Sequence, residues 1–454
     1  MHDSNMQILL AATAGLFLII VAARLCGMLA VKIGQPAVVG EMVSGVLLGP
    51  SVLGALLPGF SAAVFTQDSR PTLYVIAFVG LTLYMFLVGL DHEHHPQSRK
   101  EAALPVVLAL AGFLAPLLLG GTAAWLLADE FKPEVIPTPL FVLFVGGALS
   151  VTAFPMLARV LQERQMVHTD FGGVATRAAA IDDAVAWCVL ALVGAIVLSG
   201  SWWGAAGTIL PAAVFAVAAF AFLPRLLRPT LRRTVQRGSL GDGTFVVVLG
   251  LILAAGWLTD YIGIYSVFGG FILGMAMPRV AGFNELIKAP MLQLVRCFFL
   301  PVFFAFSGLD TNLGNALDPG YLVALGVLFL AAVLSKSLAS LVVLRCFGWQ
   351  WSESVAMGGL MNARGLMILI FINIGLQLGV IETQLFSILV LIAILTTGLA
   401  LPLYRLHFTP AKEAEARRQF RDAYDPEPPH PADGVPDHGH DPVPVPSPDR
   451  GHDR

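Results

Sequence analysis

The chain has 454 residues, 57% hydrophobic and 13% charged, with 27 Lys+Arg against 30 Asp+Glu and a formal net charge of -3. Soluble domains carry about 25% charged residues. Ten of these acids and six of these bases fall in Thr409–Arg454, so the body before them is more apolar still. Such a body excludes a secreted disulfide scaffold, a nucleic-acid binder with a basic face and a soluble enzyme. Its apolar runs repeat at membrane-spanning length, which makes it an all-α polytopic protein of the lipid bilayer.

Thirteen spans are predicted in chain order. They lie at roughly 7–30, 36–57, 71–90, 102–128, 138–161, 172–199, 204–227, 243–259, 261–278, 290–309, 320–346, 352–378 and 384–406. The first follows MHDSNM with no basic run before it, and Arg24 stands where a signal peptide would have small residues, so it reads as a retained span. The second carries Glu41, whose role the sequence leaves open. Cys26, Cys188, Cys297 and Cys346 all lie in apolar runs with no C-x-x-C and no His at ligand spacing. They read as small apolar fillers, and neither a cofactor nor a resident metal is expected.

Span five contains SVTAFPMLARV, with Ser150, Thr152 and Pro155 at membrane depth. Proline has no N–H to donate and disfavours helix at the residue before it, so this span should be interrupted. Span six, GGVATRAAAIDDAVAWCVLALVGAIVLSG, places Asp182 and Asp183 about ten residues in, among small residues. An intramembrane acid costs about 2.5–3.5 kcal/mol on insertion scales and marks function by default. Helical neighbours point about 100° apart, so the two can edge one cavity without sharing a face. Paired carboxylates in a dry site favour taking up a proton or a small cation over standing ionised side by side. Their titration belongs to the pair.

Span eleven, VLFLAAVLSKSLASLVVL, carries Lys336 in its middle, where a lysine must snorkel, deprotonate or pair with an acid. Pairing with Asp182 or Asp183 is the expectation. Span twelve contains GGLMNARG, with Asn362, Arg364 and three glycines, and should be the second interrupted helix. Arg364 is placed to neutralise helix ends and hold the crossing together. Arg177, near the start of span six, reads as interfacial, and Asp91, Asp260 and Asp310 at span ends read as solvated.

The connecting loops sort by charge. One alternate set carries Lys32, Arg99, Lys100, Arg164, Arg228, Arg232, Arg233, Arg237, Arg279, Lys288 and Arg345; the other carries Arg70 and Lys132. The positive-inside rule then puts the N-terminus outside and the C-terminus in the cytoplasm. The run RPTLRRTVQR at 228–237 reads as a loop after span seven that orients the protein and meets anionic lipid.

The two halves echo each other. VVGEMVSGVLLGP at 38–50 resembles VFGGFILGMAMP at 267–278, FLVGLD at 86–91 resembles AFSGLD at 305–310, and GGALSVTAFP at 146–155 falls where GGLMNARGLM at 358–367 falls. On this reading residues 1–408 form a transmembrane unit. Its first repeat spans about 7–199, its connector 204–227 and its second repeat about 243–406. Six spans and one connector invert the second copy, a signature of secondary transporters. Interrupted helices at matched positions are the sequence pointer to a transporter's site. Residues 409–454, with 10 of the 29 prolines and four histidines, read as a disordered Pro/His/Asp-rich tail.

The segments GEMVSGVLLGPSVLG, FLVGLD, SVTAFPMLARVL, AAIDDAVAW, GGFILGMAMPR, LPVFFAFSGLD, and GGLMNARGLM with NIGLQLGVI run in order through the body. In these segments the chain resembles the monovalent cation:proton antiporter family, nearest the branch of bacterial Na+(K+)/H+ antiporters and plant cation/H+ exchangers. The resemblance implies a dimerising panel, a mobile core holding two crossed broken helices, and a homodimer in the plasma (inner) membrane. It implies that Asp182 and Asp183 carry cation and proton, that Thr152 lines the ion site, and that Lys336 pairs with an aspartate when the ion leaves. Ser150, Pro155, Asn362 and Arg364 would support the discontinuous helices. The double acid resembles the electrogenic members. Relatives with a similar NARGLM segment often have an acid near Ile368, which this chain lacks. The tail is too short for the nucleotide-binding regulatory domain that some members carry.

The function expected is secondary active Na+ or K+ exchange for protons by alternating access. The alternative on the same fold is a cation-coupled carrier of an organic anion or metabolite. A membrane enzyme is disfavoured, since neither H-E-x-x-H nor G-x-S-x-G occurs.

Overall fold

The computed structural model describes residues 2–90, 99–167, 169–201, 203–280, 282–309, 311–312 and 319–424. Every long element among them is a helix. We number them α1 (His2–Lys32), α2 (Ala37–Leu48), α3 (Arg70–Leu90), α4 (Arg99–Leu126), α5a (Thr138–Ser150), α5b (Phe154–Glu163), α6 (Asp170–Ser199) and α7 (Ala206–Gln236). There follow α8 (Asp242–Ile262), α9 (Ser266–Ala276), α10 (Phe283–Leu309), α11 (Pro319–Cys346), α12a (Trp351–Leu360), α12b (Gly365–Gln377), α13 (Thr383–His407) and α14 (Pro410–Tyr424).

Among the described residues, eleven stretches are long and apolar enough to cross a bilayer, and the bent pair α12a–α12b makes a twelfth. The ninth predicted span is only the 11-residue α9. At 1.5 Å per residue it covers about half of a 30 Å hydrocarbon core. Three further differences from the sequence reading are physical. The basic run 228–237 is not a loop: α7 continues through Pro224 and Pro229 to Gln236, so the arginines ride on a helix. The stretch from Thr409 expected to be disordered is helical over Pro410–Tyr424, with Glu413 buried on it; residues 425–454 lie outside the described residues. Of the cysteines read as small apolar fillers, Cys26 is half-buried, while Cys188, Cys297 and Cys346 are exposed on the helix bundle. Asp260 is exposed at its span end, while Asp91 and Asp310 lie outside the described residues.

The spans pack in two groups. α1, α2, α3, α8, α9 and α10 lie against one another, as do α4, α5, α6, α11, α12 and α13. We call the first the panel and the second the core. Helix α7 touches α6 on one side and α8, α9 and α10 on the other, and α2 meets α13 across the boundary.

The motif echoes of the two halves make equivalent contacts. A side chain at Gly40 would strike the α1 backbone at Cys26, and one at Gly269 the α8 backbone at Ala255. Gly45 lies on the α10 backbone at Phe304, and Gly274 on the α3 backbone at Phe86. In the core, Gly146 abuts Leu117 of α4, and Gly358 abuts Ser337 of α11. Each glycine lets two backbones approach closer than any side chain would permit.

Candidate functional site

The two broken helices meet at their breaks. In span five the chain leaves the helix at Val151 and resumes at Phe154, with Ala153 extended. Pro155 falls in the first turn of α5b, where its missing N–H has no intrahelical partner to lose. In span twelve the break covers Met361–Arg364, and the halves bend by 41°. Gly365 opens α12b with a φ of +46°, a left-handed value that an L side chain would strain. Across the crossing, Ala153 N–H donates to Ala363 O at 2.9 Å and the Thr152 hydroxyl donates to Met361 O at 3.1 Å.

A helix end in hydrocarbon leaves carbonyls or N–H groups without partners. Here charged side chains take that role. At the end of α5a, Arg364 donates to Leu149 O through Nε at 3.1 Å and Nη2 at 2.7 Å, and Lys336 Nζ donates to Ser150 O. Arg364 also reaches Ala332 O of α11 at 3.0 Å and Asn362 Oδ1 at 3.3 Å. Cations at a helix C-terminus and an anion at an N-terminus both match the helix dipole. The anion is Asp183, whose Oδ2 accepts the first N–H of α5b, from Phe154, at 3.3 Å. Asn362 Nδ2 satisfies Gly358 O at 2.8 Å and Ser337 Oγ at 2.9 Å, and Gly365 N–H donates to Thr397 Oγ1 at 2.9 Å.

The structure separates the two aspartates. Lys336 Nζ lies 2.8 Å from Asp182 Oδ2, in an ion pair whose side chains are 1% and 3% exposed. Thr152 faces that same carboxylate. Asp183, fully buried, holds the α5b N–H instead. The second oxygen of each aspartate, Oδ1, has no hydrogen-bond donor among the described residues. Two carboxylate oxygens thus stand open inside a site that also holds two buried cations, Lys336 and Arg364. A dry carboxylate without full hydrogen bonding is expensive unless it binds a proton or a cation. Among the described residues no three His, Cys, Asp or Glu side chains gather as a metal ligand set.

Every site residue named from the sequence lies at this crossing or one turn from it: Ser150, Thr152, Asp182, Asp183, Lys336, Asn362 and Arg364 are buried, and Pro155 is half-buried. Glu41 does not join them. It is half-buried on α2 in the panel, facing the charges of Arg159, Arg24 and Arg296. Ile368 is buried in α12b. Sequence reasoning missed Thr397, Ser337 and the carbonyls of Leu149 and Ala332. Thr397 stands beside Thr396 in an apolar span, a visible polar pair, but backbone carbonyls leave no trace in sequence.

Two crossed broken helices whose ends are held by buried ions define a helical membrane transporter of the sodium/proton antiporter fold. The sodium proton antiporter MjNhaP1 from Methanocaldococcus jannaschii, at pH 8, has this fold: the TM-score is 0.59 at 16% identity, over 90% of this chain and 99% of that one. The chain belongs to the sodium/hydrogen exchanger family, whose transmembrane profile matches residues 19–404. The Na+/H+ antiporter NhaS4 of Synechocystis sp. is 37% identical over 88% of this chain and 97% of its own length. Cation/H+ antiporter 18 of Arabidopsis thaliana is 34% identical over 89% of this chain, and K+/H+ antiporter 1 of Saccharomyces cerevisiae is 30% identical over 82%. The chain spans 50% and 43% of the lengths of these last two.

Proposed function

We propose that this protein exchanges a monovalent cation, Na+ or K+, for protons by alternating access, with Asp183 and Asp182 binding cation and proton in competition. The observation that carries the reading is the unequal pair. Asp182 is held by Lys336, while Asp183 has a helix N–H on one oxygen and no donor on the other. An arriving cation meets one carboxylate oxygen from each residue, with the hydroxyl of Thr152 and the carbonyls of the breaks beside them. It loosens Lys336 from Asp182 and expels the proton held at Asp183. Protonation reverses this and restores the Lys336–Asp182 pair. Ser150, Pro155, Asn362 and Arg364 hold the broken helices to the crossing.

The same reading makes the core the moving unit and the panel the dimer face. The equivalent glycine contacts of the two halves support repeats at about 7–199 and 243–406, joined by a connector within α7. The one-sided loop charge supports an N-terminus outside and a C-terminus in the cytoplasm of the plasma (inner) membrane. A cycle that moves more protons than cations is electrogenic, and each net charge is worth ~2.3 kcal/mol per ~100 mV.

The test is proton flux in liposomes holding the purified protein, with Na+, K+ and Li+ added in turn under a clamped potential. Cation-dependent proton movement is expected, and Asp183→Asn is expected to abolish it. Near-parental flux in that variant sinks the site. Uptake of an organic anion with no cation-dependent proton flux would move the protein to the alternative carrier class.

A further inference from the structure

One aromatic residue of α6 touches the panel directly beside the site. Trp187 lies one helical turn beyond Asp183 on the same face of α6, and is 5% exposed. Its indole meets Phe268 of α9 edge to face, with ring centroids 4.8 Å apart and planes at 72°, and Phe271 at 6.3 Å. The core therefore touches the panel through three rings, next to the aspartate the mechanism needs. Trp187 Nε1–H is buried and has no acceptor among the described residues. A buried tryptophan ordinarily finds a partner for that group. An unpaired donor raises the energy of the closed packing, and contact with water would relieve it.

Further polar contacts between the two groups lie toward the same end of the bundle. Asn373 Nδ2 of α12b donates to Ser307 Oγ of α10 at 2.9 Å. Asn312 N–H, just after α10, donates to Ser387 Oγ of α13 at 2.9 Å. Tyr74 OH of α3 donates to Gln377 Oε1 of α12b at 3.4 Å. This is the end opposite Arg164, Arg345 and α14. Between Asp183 and that other end stand half-buried groups, Tyr84 and Arg159.

We propose that Trp187, Phe268 and Phe271 form an aromatic seal between core and panel. It closes the path to Asp183 from the end opposite Arg164, Arg345 and α14, and parts once in every transport cycle. Trp187 is a positioning residue here: it gates access to the carboxylate and holds no ion. The inference rests on the antiport reading, because only a core that moves past the panel needs the rings to separate.

The test replaces Cys26, Cys188, Cys297 and Cys346 by serine, then introduces Trp187→Cys with Phe268→Cys in proteoliposomes. Oxidation is expected to join the two positions and cut cation-dependent proton flux at least tenfold, with recovery on reduction. A second pair of variants keeps Phe268. Trp187→Phe is expected to stay within threefold of the parent flux, and Trp187→Ala to leak protons without added cation. Full flux in the joined protein, failure of the two cysteines to join, or a Trp187→Ala protein as proton-tight and active as the parent overturns the seal. No cation-dependent flux in the cysteine-free parent overturns the antiport reading instead.

Discussion

Core and panel are both built from apolar helices that approach one another at glycines, yet the core adds buried ions to that packing. The panel packs through backbone contact. Gly45 meets Phe304 and Gly308, and Gly274 meets Phe86 and Gly89, so van der Waals contact between helices does the holding. The core packs around ions. Lys336, Arg364 and Asp183 satisfy the open ends of α5a and α5b, and Asp182 balances Lys336. Interrupting a helix in a membrane frees polar backbone groups, and the core turns that liability into a site. Beside the charges of Glu41 and Arg159, which face each other across it, the boundary between the two groups carries neutral contacts such as Asn373–Ser307 and Trp187–Phe268. Neutral contacts break at lower cost than buried ion pairs. On the proposed antiport reading, the difference assigns the chemistry and the sliding surface to separate faces of the same helices.

The comparison can be broken by substitutions on either side. The largest stability effect is expected at Lys336→Met, which leaves the Asp182 carboxylate buried without its partner. Breaking a buried pair in this way costs about 3–5 kcal/mol, so the melting temperature of the purified protein should fall steeply. Asp182→Asn combined with Lys336→Met should recover much of that loss, since both charges are then gone; a double variant as unstable as the single one would show that Lys336 acts only through Ser150 O. A smaller effect is expected in the panel. Gly45→Val drives a side chain into the α10 backbone at Phe304, and overpacking of this kind costs about 1–3 kcal/mol. It should lower the folded yield while the folded fraction keeps its apparent cation affinity. A changed affinity at normal yield would mean that the panel shapes the site.

The smallest effect belongs to α14. Glu413 lies 3.1 Å from Arg164 and accepts from Tyr404 OH at 3.0 Å, while Arg417 donates to Arg164 O at 2.9 Å. This ties α14 to the core end that carries α5b. Glu413→Gln loses a partly exposed ion pair but keeps an acceptor for Tyr404, so about 1 kcal/mol or less is expected. Exchange should be unchanged within twofold, and a larger loss would make α14 part of the working core.

Much of this was legible in the residues. A charge in an apolar span is costly, and that cost singled out Asp182, Asp183, Lys336 and Arg364 before any geometry. Pro155, which lacks an N–H, and the polar, glycine-rich GGLMNARG marked the breaks. The choice of Lys336 for Asp182 over Asp183 was not legible, since the neighbours differ only in helical phase. Leu149 O and Ala332 O were invisible as ligands because carbonyls belong to every residue. Helix α14 was hidden by averaging: a charged helical stretch was read together with the proline-rich residues after it. The arginines of α7 looked like a loop because the apolar run ends at residue 227, yet the helix runs on through Pro229 to Gln236.

The central claim is that one buried carboxylate pair holds either a cation or a proton. The direct measurement is proton release when Na+ or K+ is added to the purified protein in weakly buffered detergent. The account predicts at least one proton released per cation bound, and none from Asp183→Asn. Cation binding without proton release, or undiminished release from Asp183→Asn, would contradict it.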